Sequence, residues 1–207
     1  MFALGNEDLS HRILGCGDGP ASFNAGHTKR GGKIVSIDPI YQFSVEEISA
    51  RIEEARHLIM AQIRANPDEL IWEDIRSPEE LEARRLSAMH TFLDDFEQGK
   101  NEGRYVCAAL PSLPFPDKSF GLALCSHFLL HYAEQLDLDF HVASLRELMR
   151  VADEVRIYPL TELGAKGSRH ADPLRAQLRR EGFRADFVDV PYRFIKGANQ
   201  MLRVRAR

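Results

Sequence analysis

The chain is 207 residues long, 44% hydrophobic and 28% charged, with a formal net charge of -4. Those values suit one ordinary globular domain, 1–207, and the acidic balance offers no general attraction to nucleic acid or to an anionic membrane. No apolar run approaches the roughly 18 residues that cross a bilayer, no signal peptide is present, and Cys16, Cys107 and Cys125 are unclustered. The expectation is therefore a cytoplasmic protein with reduced, mostly buried thiols, no disulfide frame and no metal site.

Residues 1–10 read as a short lead-in with too few apolar residues to form a domain. From Ile13 a short apolar strand enters the run Gly15-Cys16-Gly17-Asp18-Gly19-Pro20, and a second strand over 33–37 ends in Asp38, 23 residues after the first glycine. Glycines at such a turn permit backbone angles closed to residues with a Cβ and let a ligand approach the main chain. A carboxylate at the end of the next strand can accept from both hydroxyls of a ribose. The glycines alone also fit a glycine-rich turn of an unrelated protein, and it is the placed Asp38 that favours a βαβ nucleoside site. Pro20 stands where the dinucleotide fingerprint has its third glycine, which argues against a dehydrogenase.

The Gly-x-Gly-x-Gly run resembles motif I of the class I S-adenosylmethionine (SAM)-dependent methyltransferases. Pro20 suits the first position of a helix. The first crossover helix is expected over 21–28, stopped by Gly31 and Gly32, with its N-terminus facing the glycine loop. Family members often carry covering helices ahead of the first strand, and 1–10 leaves almost no room for them, so another segment is expected to cover the substrate.

Residues 41–103 supply that candidate. A compact crossover uses roughly 15 to 20 residues, and this one uses about three times that. Ser44 and Glu47 form a capping box, and Val45, Ile48, Ile52, Ala55, Ile59 and Ile63 fall on one helical face. Asn66-Pro67 ends that helix. Ser77, Pro78 and Glu80 open a second one, with Leu81, Leu86, Met89, Phe92, Leu93 and Phe96 as its stripe and Gly99 as its stop. The spacing thus predicts a helical insertion over about 42–103. It reads either as a packing helix with a decorative hairpin, or as a lid or homodimerisation arm. The pairs Glu53-Glu54 and Arg84-Arg85 read as solvated faces.

Strands are expected over 105–108 and 121–125. The segment between them, Leu113-Pro114-Phe115-Pro116-Asp117-Lys118-Ser119-Phe120, is good turn chemistry on any protein. It also looks like the stretch between strands three and four of small-molecule SAM methyltransferases. A helix over 139–151, carrying Leu145-Arg146-Glu147-Leu148-Met149-Arg150, resembles the family's helix before strand five. Strand 155–160, a helix over 174–181 and a terminal hairpin of 187–190 with 200–205 follow. The resemblance implies an α/β fold: a three-layer αβα, Rossmann-like, seven-stranded, mostly parallel sheet with an antiparallel last strand, plus the insertion after strand two.

Two family acids are absent: Ile13 stands two residues before the first glycine, and Ala109 stands where an adenine-contacting Asp is common. Asp18 is the candidate to offset the first. The resemblance implies that Gly15, Cys16, Gly17, Asp18 and Gly19 admit the methionine and ribose portions, and that Asp38 takes the ribose hydroxyls. Pro39 and Ile40 would flank the adenine, Ala109 and Leu110 would present backbone groups to it, and Ser126 would lie nearest the sulfonium with His127. His127 and His131 share a face if helical, and read as ordinary polar residues, as a base with an acceptor-positioning group, or as metal ligands. Tyr41 and Tyr132 are candidates to line the acceptor pocket.

The leading expectation is methyl transfer from SAM, releasing S-adenosylhomocysteine, to a small-molecule acceptor. A non-catalytic SAM-binding or interaction protein and an RNA or protein methyltransferase are the alternatives. For RNA stand only Lys196, Arg203, Arg205 and Arg207, which on a strand mostly alternate outward.

Overall fold

The computed structural model describes residues 1–206; Arg207 lies outside the described residues. Seven strands form one sheet: β1 (Arg12–Cys16), β2 (Lys33–Ile37), β3 (Tyr105–Val106), β4 (Phe120–Ser126), β5 (Ala152–Tyr158), β6 (Arg184–Asp189) and β7 (Gln200–Arg205). Their order is β3-β2-β1-β4-β5-β7-β6. Pairing is parallel from β3 to β5, and β7 runs antiparallel to both β5 and β6. The chain leaves β1 toward β2 and later returns to its other side as β4. That reversal opens a crevice at the carboxyl ends of β1 and β4, where ligands bind in open α/β sheets.

Strand residues alternate between two apolar layers. Leu14, Cys16, Val35, Ile37, Ala123 and Cys125 pack with α5 (Leu138–Val151) and α6 (Ala171–Arg180). Ile13, Ile34, Leu122 and Leu124 face the other way, onto Phe2 and Phe23. Apolar side chains on both faces are what a mostly parallel sheet between two helical layers requires.

The lead-in is more tightly held than its composition suggests. Its helix α1 (Asn6–Ser10) carries Asp8, which pairs with the buried Arg156 of β5. The same guanidinium donates to the Phe2 carbonyl at 2.9 Å, and the Phe2 ring packs edge-on against Tyr158.

The first crossover helix, α2 (Phe23–Lys29), is only seven residues long. Pro20 lies ahead of it, contrary to the expectation that it opens the helix, because Gly19 accepts from the Ala21 N–H in a tight turn. The two long helices form as α3 (Val45–Ala65) and α4 (Pro78–Asn101), opened by the Ser44 and Ser77 caps. Gly99 does not stop α4. It is buried within the helix, where a Cβ would stand 2.4 Å from the Tyr105 ring and 2.9 Å from the Arg104 guanidinium. The stop comes four residues later at Gly103, whose φ of 72° suits glycine.

These helices have a small core of their own, in which Tyr41, Ile48, Ile52, Phe92 and Phe96 surround Tyr105. Arg104 ties α4 to the sheet by donating to both oxygens of Asp95, at 2.7 and 2.9 Å, and to the Asn24 side chain of α2 at 2.8 Å. The α3–α4 connection reaches the β6–β7 connection. There the Ile71 N–H donates to Phe194, the Lys196 N–H donates to Glu69, and the Trp72 ring meets Phe194 edge-on.

The loop before β4 is stapled by α5. Glu147 accepts from the Leu113 N–H at 2.7 Å, and Arg150 donates to the Phe115 carbonyl at 2.8 Å and the Asp117 carboxylate at 2.7 Å. The two sequence motifs that resemble the family are thus two halves of one contact. Strand β3 is shorter than the expected 105–108, because Cys107 leaves the ladder and is exposed, unlike Cys16 and Cys125, which are buried.

Among the described residues no helix is long and apolar enough to cross a membrane. No group of three or more potential metal-ligating side chains occurs among them either.

Candidate cofactor and acceptor site

The glycine loop is shaped by the side chains around it. A Cβ on Gly15 would lie 1.9 Å from an Asp18 carboxylate oxygen, and one on Gly17, at a φ of 66°, would meet the Phe128 ring at 3.0 Å. Asp18 therefore folds back over Gly15, where its Oδ2 accepts from the Ser36 hydroxyl at 2.5 Å. Ser36 in turn accepts from the Asn24 amide at 3.0 Å. Burial pushes the Asp18 carboxyl up to about 7, against the lowering effect of Ser36 and with a further raise from the nearby Asp38. Ile13, where the family has an acid, is fully buried in the core. Asp18 is the carboxyl group the loop does possess.

Asp38 follows β2 and caps a short 3-10 turn, Pro39–Gln42. Its two oxygens accept from the Gly19 N–H at 2.9 Å and the Ile40 N–H at 3.0 Å. Burial raises its pKa while those two N–H groups hold it down. A carboxylate has about four acceptor positions, so two remain open.

Two cavities meet at this loop. The smaller, 310 Å³, is lined by Cys16, Gly17, Asp38, Pro39, Ala109 and Leu110, with His127, Phe128 and Tyr132 closing it. The larger, 830 Å³, has Gly15, Gly17, Asp18, Ser126 and His127 as its floor. Its walls come from residues 1–4, Phe23, Arg85 of α4, Leu124, Pro191 and Tyr192. Gly17 and His127 belong to both.

His127 stands directly beyond β4 with a φ of 52°, a left-handed conformation that few side chains adopt. It is held by its N–H to the Tyr158 carbonyl at 2.7 Å, and its Nδ1 lies 2.9 Å from the Ser126 hydroxyl. Burial lowers its pKa to about 4, helped by His131 and Arg85, so its ring is neutral at pH 7.

No α-helix spans 127–131. The backbone bends instead into a 3-10 turn, Leu130–Tyr132, because His127 is left-handed. The two imidazoles still meet edge-on, with centroids 5.7 Å apart. His131 lines neither cavity. Its Nδ1 is 3.1 Å from the Thr161 carbonyl, which can only accept, so Nδ1 carries the proton and Nε2 is the bare nitrogen.

Three expected positions differ. Tyr41 does not line an acceptor pocket; it is 1% exposed, packed among Phe92, Phe96 and Tyr105, and donates to the Gly19 carbonyl at 2.8 Å. Tyr132 borders the smaller cavity, on the Asp38 side, instead of the larger one. Ile40 packs against the aromatic cluster and leaves Pro39 alone to line the smaller cavity. Glu53, Glu54, Arg84 and Arg85 are all exposed as expected, and Arg85 also lines the larger cavity. Sequence reasoning also missed residues 1–4, Phe23, Pro191 and Tyr192, none of which carries a motif.

Residues 83–154 match a family model described as a methyltransferase domain. That stretch runs from within α4 into β5 and does not include the glycine loop. The uncharacterized protein MJ0045 of Methanocaldococcus jannaschii is 30% identical over 206 residues, which cover 99% of this chain and 90% of that protein. Among solved structures, magnesium protoporphyrin IX methyltransferase of Synechocystis PCC 6803 with bound SAM is 11% identical. It aligns at a TM-score of 0.46 over 94% of this chain and 69% of its own. A putative RNA methyltransferase of Pyrococcus horikoshii is 8% identical, with a TM-score of 0.48 over 97% of this chain and 78% of its own. By its relative in M. jannaschii, the chain shares a family with that archaeal protein, and its residues 83–154 match a methyltransferase domain.

Proposed function

We propose that the protein transfers a methyl group from SAM to a small-molecule acceptor, with the cofactor in the smaller cavity and the acceptor in the larger. The observation that carries this reading is the meeting of the two cavities at Gly17 and His127. The residues fit the cofactor. The two free acceptor positions of Asp38 suit the ribose hydroxyls, Pro39 and Leu110 give the adenine apolar contact, and Ala109 offers backbone groups in place of the family's Asp. Cys16 and Gly17 form the loop against which the methionine portion lies, and past Gly17 it reaches Gly15 and the Asp18 carboxyl on the floor of the larger cavity, which suits its ammonium.

Bound SAM supplies a methyl carbon already activated by a positively charged sulfur, so the protein's work is chiefly to position the acceptor and exclude water. His127 is placed to take the acceptor's proton. Its neutral ring has a free lone pair at pH 7 and sets no second positive charge beside the sulfonium. Ser126 fixes the His127 ring through Nδ1, and His131 braces its edge. The mostly apolar lining of the larger cavity supports a small acceptor over an RNA or a protein. The α3–α4 pair serves as a lid, a reading supported by its docking on the β6–β7 connection of the same chain.

Calorimetric titration with S-adenosylhomocysteine tests the assignment, with NAD in parallel. Micromolar binding that Asp38→Ala abolishes is expected; absence of binding by the wild-type protein, or NAD binding in its place, refutes it.

A further inference from the structure

The larger cavity is mostly apolar; Arg85 is its one permanently charged side chain, and the Met1 α-ammonium is the other cation near it. Asp18, the carboxyl group on its floor, is turned onto Ser36. Neighbouring arginines of the helix pair have carboxylates: Arg84 pairs with Glu80 at 2.6 Å, Arg56 with Glu53 and Glu82, and Arg64 with Glu79 and Glu82. Arg85 has no ion-pair partner among the described residues. Its side chain is exposed where it borders the cavity.

A guanidinium set in an apolar wall without a carboxylate is free to take an anionic group, and its planar fork matches a carboxylate or a phosphate. Its field reaches His127, whose pKa it helps to lower, so the two act on one space.

Resting on the function proposed above, we infer that the acceptor is a small apolar molecule bearing one anionic group, which Arg85 binds from the lid helix while the nucleophilic atom faces His127. The anionic group is an anchor and not the nucleophile, because an oxygen paired with a guanidinium has its lone pairs engaged.

The test uses the full chain saturated with S-adenosylhomocysteine and four probes of one apolar frame: 1-naphthaleneacetate, its neutral amide, 1-naphthylmethylamine and 1-naphthyl phosphate. Dissociation constants are read by calorimetry or ligand-observed NMR. An anionic probe should bind at least about tenfold tighter than the amide, and the amine weakest, in line with a charge-assisted pair. Which of the two anions binds better identifies the group as carboxylate or phosphate. Arg85→Gln should abolish the preference, Arg85→Lys should keep part of it, and both should bind S-adenosylhomocysteine like the wild type. Equal binding of acid and amide, tighter amine binding, no binding by any probe, or a preference that survives Arg85→Gln overturns the inference. Failure of S-adenosylhomocysteine to bind the wild type instead overturns the function on which it rests.

Discussion

Asp18 and His127 both line the larger cavity, and burial displaces their pKa values in opposite directions. The carboxyl is protonated in the folded ligand-free protein up to about pH 7 but ionises near its ordinary 3.8 once unfolded. Between those limits the native state holds the extra proton, so this group's contribution falls as pH rises. The imidazole, at about 4 when folded and 6.5 when unfolded, does the reverse: its contribution is present above pH 6.5 and is lost as pH falls toward 4. The two slopes largely cancel in the wild type between about pH 4.5 and 6.5. Asp18→Asn should unmask a loss of stability on acidification, and His127→Asn a gain. Each is expected to amount to about 2 kcal/mol, below the full linkage value because both groups also border the cavity. Urea melts at pH 4.5, 5.5 and 6.5 read the slopes, and parallel pH profiles for all three proteins would refute the assignment. His131 has a lesser role by position: His131→Ala should lower turnover, once an acceptor is known, while leaving S-adenosylhomocysteine affinity nearly intact. Equal loss of both would mark it as structural.

Helix α4 is joined to the sheet through Arg104, and the strength of that contact is testable. Arg104 is 9% exposed and depends on Asp95 for two hydrogen bonds. Asp95→Ala leaves the guanidinium without that bidentate partner, and the expected cost is about 3 kcal/mol, with Glu102 and Asn24 limiting the loss. Phe96→Ala, which empties the centre of the aromatic cluster, should cost about 3 to 5 kcal/mol. A denaturant midpoint shift with unchanged slope checks both. A change below about 0.5 kcal/mol would mean that the helix pair contributes little to the folded state.

Across the whole molecule, the α3–α4 pair is held at both ends, by Arg104 and Tyr105 near the sheet and by Glu69 to Trp72 at the β6–β7 connection. The chain should therefore unfold in one calorimetric transition, and a separate low-temperature melt of the helix pair would contradict this. The α3–α4 connection docks on the β6–β7 connection of the same chain, and mass measurement in solution distinguishes a lid from a dimer arm.

Local chemistry that repeats at a fixed spacing was legible in the chain itself: the glycine run, the strand ending in Asp38, the Ser44 and Ser77 caps and the apolar stripes of α3 and α4. Each is decided by neighbours within a few residues, so sequence carries it, and the order of strands and helices follows. The tertiary structure decided whatever depends on side chains far apart in sequence. Gly99 reads as a helix stop, yet Tyr105 and Arg104 pack over it and keep it helical. Tyr41 reads as a pocket tyrosine, yet a distant aromatic cluster buries it. The pairing of Leu113 with Glu147 and the place of Arg85 in a cavity that Phe2 and Tyr192 also line have no local signature, because these residues are brought together only when the sheet closes.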